Sequence, residues 1–467
     1  MLQIRRYGEA TQQDDASMGY DRRDILSAGL AAGVAAGAIG AGARDASARS
    51  RGADAGDIGL VSGSAIDQAP VLQVALDAAT ARGAPLELPA GHFRIGALKL
   101  RSGARLIGAA GATVLEHAGA GSFITAEDAS DITIEGVSLD GAYRALADAD
   151  GLVDLTRCTR VRLRHLRLTR SPANGIALNA SSGTIADCSI DNAVQAAIRS
   201  LDAAGLEILH NDIADCGNNG IQVWRSEPGE DGSIVTGNRI VRIRADGGGT
   251  GQNGNGINVF RAAAVLVSGN RITDCAFSAV RGNAANDIQI LGNSCARLGE
   301  VALYAEFGFE GALIANNLVD TAATGITVTN FNEGGRLAVV QGNLVRNLFR
   351  REHEPVDKRG HGITVEADSA VTGNVIERAP TAGIVVGWGA FMREIVATSN
   401  LVRASRVGIL VSNDGSAGAC LLANNMISGA ELGAIRAMDG NGNPVGADLA
   451  YGDSGDKRLA IAGNLSV

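Results

Sequence analysis

Four side chains between residues 281 and 361 have reactive chemistry: Arg281, Tyr304, Lys358 and His361. Removing a carbon-bound proton beside a carboxylate takes a base, a cation to hold that carboxylate and an acid to return a proton. Lys358, His361 or Arg281 is read as the base, Tyr304 as the acid, and Arg199, Arg261 and Arg281 as holders of the charge. Lys358 is one of three lysines in 467 residues, and Arg350, Arg351, His353 and Arg359 stand near it. The same stretch carries Glu352 and Glu354, so a solvated loop with internal Arg–Glu pairs accounts for it as well.

Other chemistries lack their residues. Glycoside hydrolysis needs a pair of carboxylates, and the repeats contain no Asp-Asp pair. Outward aspartates do not cluster as calcium ligands, and no Cys/His spacing suits a metal. No metal and no cofactor are therefore expected. The net charge of -9 argues against a nucleic-acid partner recruited by bulk charge.

Any such site needs elements to position it, and these repeat. A Gly-Ile-x-Val-like strand is followed by a variable stretch and then by an Ile-x-Gly-Asn-x-Ile-like segment, clearest over Ile234 to Ile240. Asn211, Asn238, Asn270, Asn293, Asn317, Asn343, Asn374, Asn400 and Asn425 recur every 23 to 32 residues, a solenoid period. Apolar and polar residues alternate over short runs, which is strand periodicity, and the connections are too short for crossover helices. One coil cannot bury its apolar face alone, but stacked coils can. Aromatics make up only 3% of the chain, fitting a thin core of Ile, Val, Leu and Ala. The asparagines are read as structural: they tolerate a left-handed turn, and their amides can bond along the axis. Six cysteines are read as small buried apolar residues, because Cys216 and Cys275 are two coils apart, roughly 10 Å and beyond disulfide reach.

With Ile and Val inward, the residues between them form an outward row. It includes Asn179, Arg199, Gln222, Trp224, Asn258, Phe260, Arg281, Tyr304, Glu306, Thr327, Thr329, Thr364 and Glu366. Eight of the ten aromatics between residues 200 and 400, namely Trp224, Phe260, Tyr304, Phe307, Phe309, Phe331, Trp388 and Phe391, lie at the end of that strand or in the next loop. Such an edge serves either as a wall for flat sugar faces or as packing for long loops. Insertions at Arg244 to Asn255 and Asn347 to Gly360 enter the same sheet from its other side. Arg199, Trp224, Asn258, Phe260, Arg261, Glu306, Glu366 and Trp388 are the expected substrate-binding residues.

At the amino terminus, Arg22-Arg23 precedes a Gly/Ala-rich stretch, and Ala46-Ser47-Ala48 fits small-residue cleavage. This resembles a twin-arginine export signal over 1-48, with Ile25 where that motif usually has Phe and Met18 as a second candidate start. A packed Gly/Ala helix and a membrane anchor are the rivals, both disfavoured by the glycine content and weak hydropathy. Gln68 to Arg82 has helical spacing with Gly83 as a stop. With Leu86 to Phe93 and Leu98 to Gly108, it resembles the amino-terminal region of the pectate-lyase-like superfamily, in which a helix caps the first coil. The whole is similar to bacterial twin-arginine-translocated repeat proteins.

The resemblance implies an all-β, single-stranded right-handed parallel β-helix, a three-sheet solenoid with an amino-terminal capping helix. The expected divisions are 1-48 signal, 49-120 cap and first coils, and 121-467 β-helix. It also implies a substrate groove on the outward sheet. Gly360-His361-Gly362 resembles the Gly-His-Gly segment of polygalacturonases, but Asn255 and Asn258 stand where those enzymes have catalytic aspartates. The expectation is an exported, periplasmic or secreted lyase or epimerase acting on an acidic polysaccharide, with the twin-arginine translocase as its partner in export. The alternative is a non-catalytic glycan-binding or envelope-scaffold solenoid. The oligomeric state is left open.

Overall fold

The computed structural model describes residues 58–467 except 120, 250, 352, 354–358 and 452–454. The segment read as an export signal, with Arg22 and Arg23, and Lys358 lie outside the described residues. The helix Ala69–Ala81 has Pro70 in its first turn, Arg82 as C-cap and Gly83 at φ +64°. Its buried face, Ala69, Leu72, Leu76 and Ala79, packs on the first strands, including Leu86–Glu87 and Leu98–Lys99, and so covers the open end of the first coil.

From Leu86 onward the chain winds into parallel coils. One sheet holds fifteen strands, each paired with the equivalent strand one coil away. The other two faces of each coil join into a single sheet of 28 strands, because Ser294–Glu306 and Leu318–Val328 run around the bend between them. The ladder crosses residue 121 without a break, since Leu98 pairs directly with Ile124 and Leu106 with Ile134. Inward Ile and Val stack in columns, as in Ile198, Ile221 and Ile257, all fully buried. Each contributes about 1.5–3 kcal/mol of burial. The glycine before such an isoleucine is required by close approach: a Cβ on Gly362 would lie 2.3 Å from the Gly383 carbonyl of the next coil.

The asparagine ladder extends from Asn211 to Asn464. In each step the Oδ1 of one asparagine accepts both the backbone N–H and the Nδ2 of the one before, as from Asn293 to Asn317 at 2.9 and 3.0 Å. The second Nδ2 proton goes to a backbone carbonyl, for Asn317 that of Ile290 at 2.8 Å. The left-handed residue is not the asparagine but the one before it: Gly237, Gly292, Gly342 and Asn316 have φ of 70, 62, 63 and 57°. The tight-turn role expected of the asparagines belongs to these neighbours, and the amides fill the bend inside. All six cysteines are buried and free.

Candidate functional site

The outward row is one hydrogen-bonded column, running from Arg199 through Gln222, Asn258, Arg281 and Tyr304 to Thr327 and Thr364. Trp224, Phe260, Asn283 and Glu306 form the parallel column two residues on. These side chains point away from the core, yet Asn258, Arg281, Tyr304 and Glu306 are each at most 5% exposed. The loops cover them. A Cβ on Gly251, in the insertion before Asn255, would sit 1.9 Å from an Arg281 nitrogen, so bare backbone lies against the guanidinium. The carbonyl of Gln252 in the same insertion accepts Asn258 Nδ2 at 3.4 Å. The second insertion begins beside the same place, where Arg351 donates to the carbonyl of Gly299.

Between the loops a cavity of about 500 Å³ remains. Trp224, Phe260, Tyr304 and Phe307 supply its aromatic surface, and Arg281, Glu306 and Glu366 its charges. Trp224 and Phe260 meet edge to face, centroids 6.2 Å apart, and the indole N–H donates to Asn258 Oδ1 at 3.1 Å. Such a wall presents flat apolar area with polar groups at its border.

The cavity floor is an ion cluster. Arg281 Nε donates to Glu306 at 2.6 Å and Nη1 to Glu300 at 3.3 Å, while the guanidinium lies 5.1 Å from the Tyr304 ring centroid. Asn283 adds a bond to the same Glu306 oxygen at 3.0 Å. Burial works against the charge on Arg281, but Glu306 and then Glu300 outweigh it and push its pKa above the ordinary value. Burial, reinforced by the charge of Glu306, holds the Tyr304 phenol well above its usual pKa, so it is a proton donor at neutral pH. Glu366 reaches the cavity from a later coil, its Oε2 bound by the Phe331 N–H at 2.8 Å.

Seven expected site residues therefore line one cavity: Trp224, Asn258, Phe260, Arg281, Tyr304, Glu306 and Glu366. Others do not reach it. His361 is 1% exposed and starts its strand in register with Ala382, on the inward side with Ile363 and Val365. A general base for a substrate in the cavity cannot be built on it. Arg281 lines the cavity but is a doubly paired permanent cation, which removes it as a base. Arg199, three coils before Arg281, pairs with Asp150 at 2.9 Å. Arg261 donates to the Ser226 carbonyl at 2.8 Å and lies over the Phe260 ring, bracing the wall from outside. Trp388 packs on Val385, Leu410 and Met438, and Phe309 is buried in the core, so part of the aromatic edge lines the cavity and part packs the solenoid. Sequence reasoning missed Glu300, Gln252 and Asn283. Glu300 follows Gly299 at the irregular bend within Ser294–Glu306, and its signal was a glycine-preceded carboxylate.

The family described as right handed beta helix region matches over residues 114–252, 174–348 and 235–402, together more than half of the chain. The chain belongs to this right-handed β-helix family. Among solved structures, this β-helix chain is similar to the N-terminal fragment of bacteriophage phi29 gene product 12, at 14% identity and a TM-score of 0.55 over 89% of this chain and 70% of that one. A PL6 alginate lyase in complex with a trisaccharide is 14% identical with a TM-score of 0.52, over 89% and 95% of the two chains. The catalytic unit of a GH87 α-1,3-glucanase from Streptomyces thermodiastaticus is 15% identical with a TM-score of 0.47, over 89% and 68%. At these identities the shared property is the fold. A search among curated proteins finds no match in sequence.

Proposed function

We propose that this β-helix chain is an exported carbohydrate-active protein that takes a polysaccharide segment into the cavity between Trp224 and Glu366. The observation that carries this reading is one cavity combining the Trp224–Phe260 wall with the Arg281–Glu306–Tyr304 floor. Sugar rings have an apolar face that stacks on aromatics and hydroxyls that pair with amides and carboxylates.

As an enzyme it is read as a lyase or epimerase on an acidic polysaccharide. Tyr304, held protonated, returns a proton to the sugar, and Arg281 keeps that phenol beside a fixed charge. The base is left to Lys358 or to a cavity carboxylate, and the charge on an entering uronate to the basic segment around Arg350, Arg351 and Arg359. A specific observation favours the second reading, non-catalytic glycan binding. The Trp224–Phe260 wall offers stacking area to a sugar ring without calling on any base.

Incubation of the full chain with alginate, pectate, glucuronan and neutral glucans separates the readings. Absorbance of unsaturated uronates reports a lyase, and sugar NMR an epimerase. Chemical silence across the panel, with binding that is lost in Trp224→Ala, sinks the enzyme reading. Absence of both turnover and binding sinks the carbohydrate reading. Export is tested by Arg22→Lys with Arg23→Lys, which should leave the precursor in the cytoplasm.

A further inference from the structure

The fifteen-strand sheet takes no part in the cavity, and its outward face changes character along the axis. In the early coils its central outward column holds Arg162, Thr184 and Glu207, an ordinary solvated strand surface. From the next coil the same column becomes apolar. It runs from Ile234 through Leu266, Leu313, Val339 and Val396 to Leu421, each in register with the coil beside it. Its interruptions are Gln289 and Ala370. Ile234, Val339, Val396 and Leu421 are 36, 37, 37 and 38% exposed, so no described part of the chain covers them. A shallow groove of about 680 Å³ lies over the middle of this column. The early coils prove that the solenoid folds with charges there, so the apolar column needs another explanation.

We propose that this column is a self-association surface on which two copies stack face to face in antiparallel orientation. The inference does not depend on the carbohydrate reading. Eight coils at about 4.8 Å give a stripe roughly 34 Å long, and three outward columns make it about 15 Å wide. That is on the order of 500 Å² per copy and 1,000 Å² in total, the lower bound of a specific interface.

The borders select a second copy as occupant. On one side the flanking column is uncharged, with Ser268, Gln341, Thr372 and Thr398. On the other, Arg336 pairs with Glu310 and Asp368, and Arg393 donates to Asp368 at 2.7 Å, so these charges are already met within the chain. Asp287 and Glu394 also border the groove, so among the described border residues an anionic polymer meets carboxylates and cations already paired within the chain, whereas an identical apolar stripe matches end for end. A two-fold axis between Leu313 and Val339 lays Ile234 of one copy opposite Leu421 of the other, a closed isologous contact. The sheets then stack at about 10 Å, as in a β-sandwich.

Sedimentation equilibrium of the full chain from about 1 to 100 µM tests this, a range that brackets weak and stable association. The expected result is a mass rising to twice that of the chain. Val339→Lys with Val396→Lys places cations in the apolar contact and should weaken association on the order of 100-fold. Both positions are half-exposed, so circular dichroism and Tm should stay those of the parent. Separately purified Ile234→Cys and Leu421→Cys proteins, mixed with a short bismaleimide, should cross-link to each other and not to themselves, because the two-fold sets like positions at opposite ends of the stripe, and the native cysteines are buried. A parent that stays monomeric overturns the proposal. So does a dimer that survives the lysine pair, or an Ile234→Cys protein that cross-links to itself.

Discussion

Arg281 and Glu306 form their 2.6 Å ion pair diagonally across the ladder, since the register partner of Arg281 is Tyr304 and that of Glu306 is Asn283. The diagonal lets one guanidinium serve Glu306 ahead and Glu300 at the bend while its plane lies beside the phenol. Removing the cation takes the Arg281 partner from two buried carboxylates. Arg281→Met should therefore lower stability by about 3–5 kcal/mol in denaturant unfolding. The triple variant Arg281→Met, Glu300→Gln, Glu306→Gln should recover most of it. If the single variant is neutral, the cluster is not a closed ion network.

The two tryptophans separate binding from packing. Trp224→Ala removes half of the cavity wall and should weaken glycan binding roughly tenfold with little change in Tm. Trp388→Ala should do the reverse, costing about 2 kcal/mol of stability through the Val385–Leu410–Met438 cluster while leaving binding intact. Affinity electrophoresis and thermal unfolding of both variants check this. A binding loss in Trp388→Ala would mean that the aromatic edge acts as one unit.

The sequence carried the solenoid because its rules are local: Ile-x-Val sets which side chains turn inward, and an amide at each bend must have partners above and below. It carried the outward row for the same reason, which is why Arg281, Tyr304 and Glu306 were found together. What it could not carry is how insertions fold back. The row was expected to face solvent, but Gly251 lies on Arg281 and buries it. His361 stands apart from the cavity because its strand begins at the residue itself, on the side of Ile363. Glu300 escaped because it stands outside the alternating pattern, at a bend where sequence spacing says nothing of direction. Trp388 was grouped by strand position, yet it packs beneath the loop at Gly442, where a Cβ would lie 2.6 Å from its ring.

The asparagine ladder gives a graded prediction. Asn317→Ala removes the acceptor for two donors of Asn293 and the donor to Ile290 in the middle of the stack. Orphaned buried groups cost about 1–3 kcal/mol each, so about 3 kcal/mol in all is expected. Asn464→Ala, at the half-exposed end, should cost about 1 kcal/mol because water replaces the lost partners. Equal losses at both positions in denaturant titrations would mean that the amides act as independent turn residues and not as a coupled ladder.

Tyr304 makes the cavity floor sensitive to alkali. Its folded pKa stands well above the ordinary phenol value, chiefly through burial and then through Glu306, so the folded state holds its proton longer than the unfolded chain does. The stability this contributes is full below pH of about 10 and is lost as pH rises through the folded value. Tyr304 should ionise only at high pH or on unfolding. Phenolate absorbance recorded against pH should therefore show a late step that Tyr304→Phe abolishes, and the variant should lose stability less steeply above pH of about 10. If Tyr304→Phe removes no late step, burial and Glu306 do not hold the phenol's proton, and its role as a proton donor to a bound sugar falls with it.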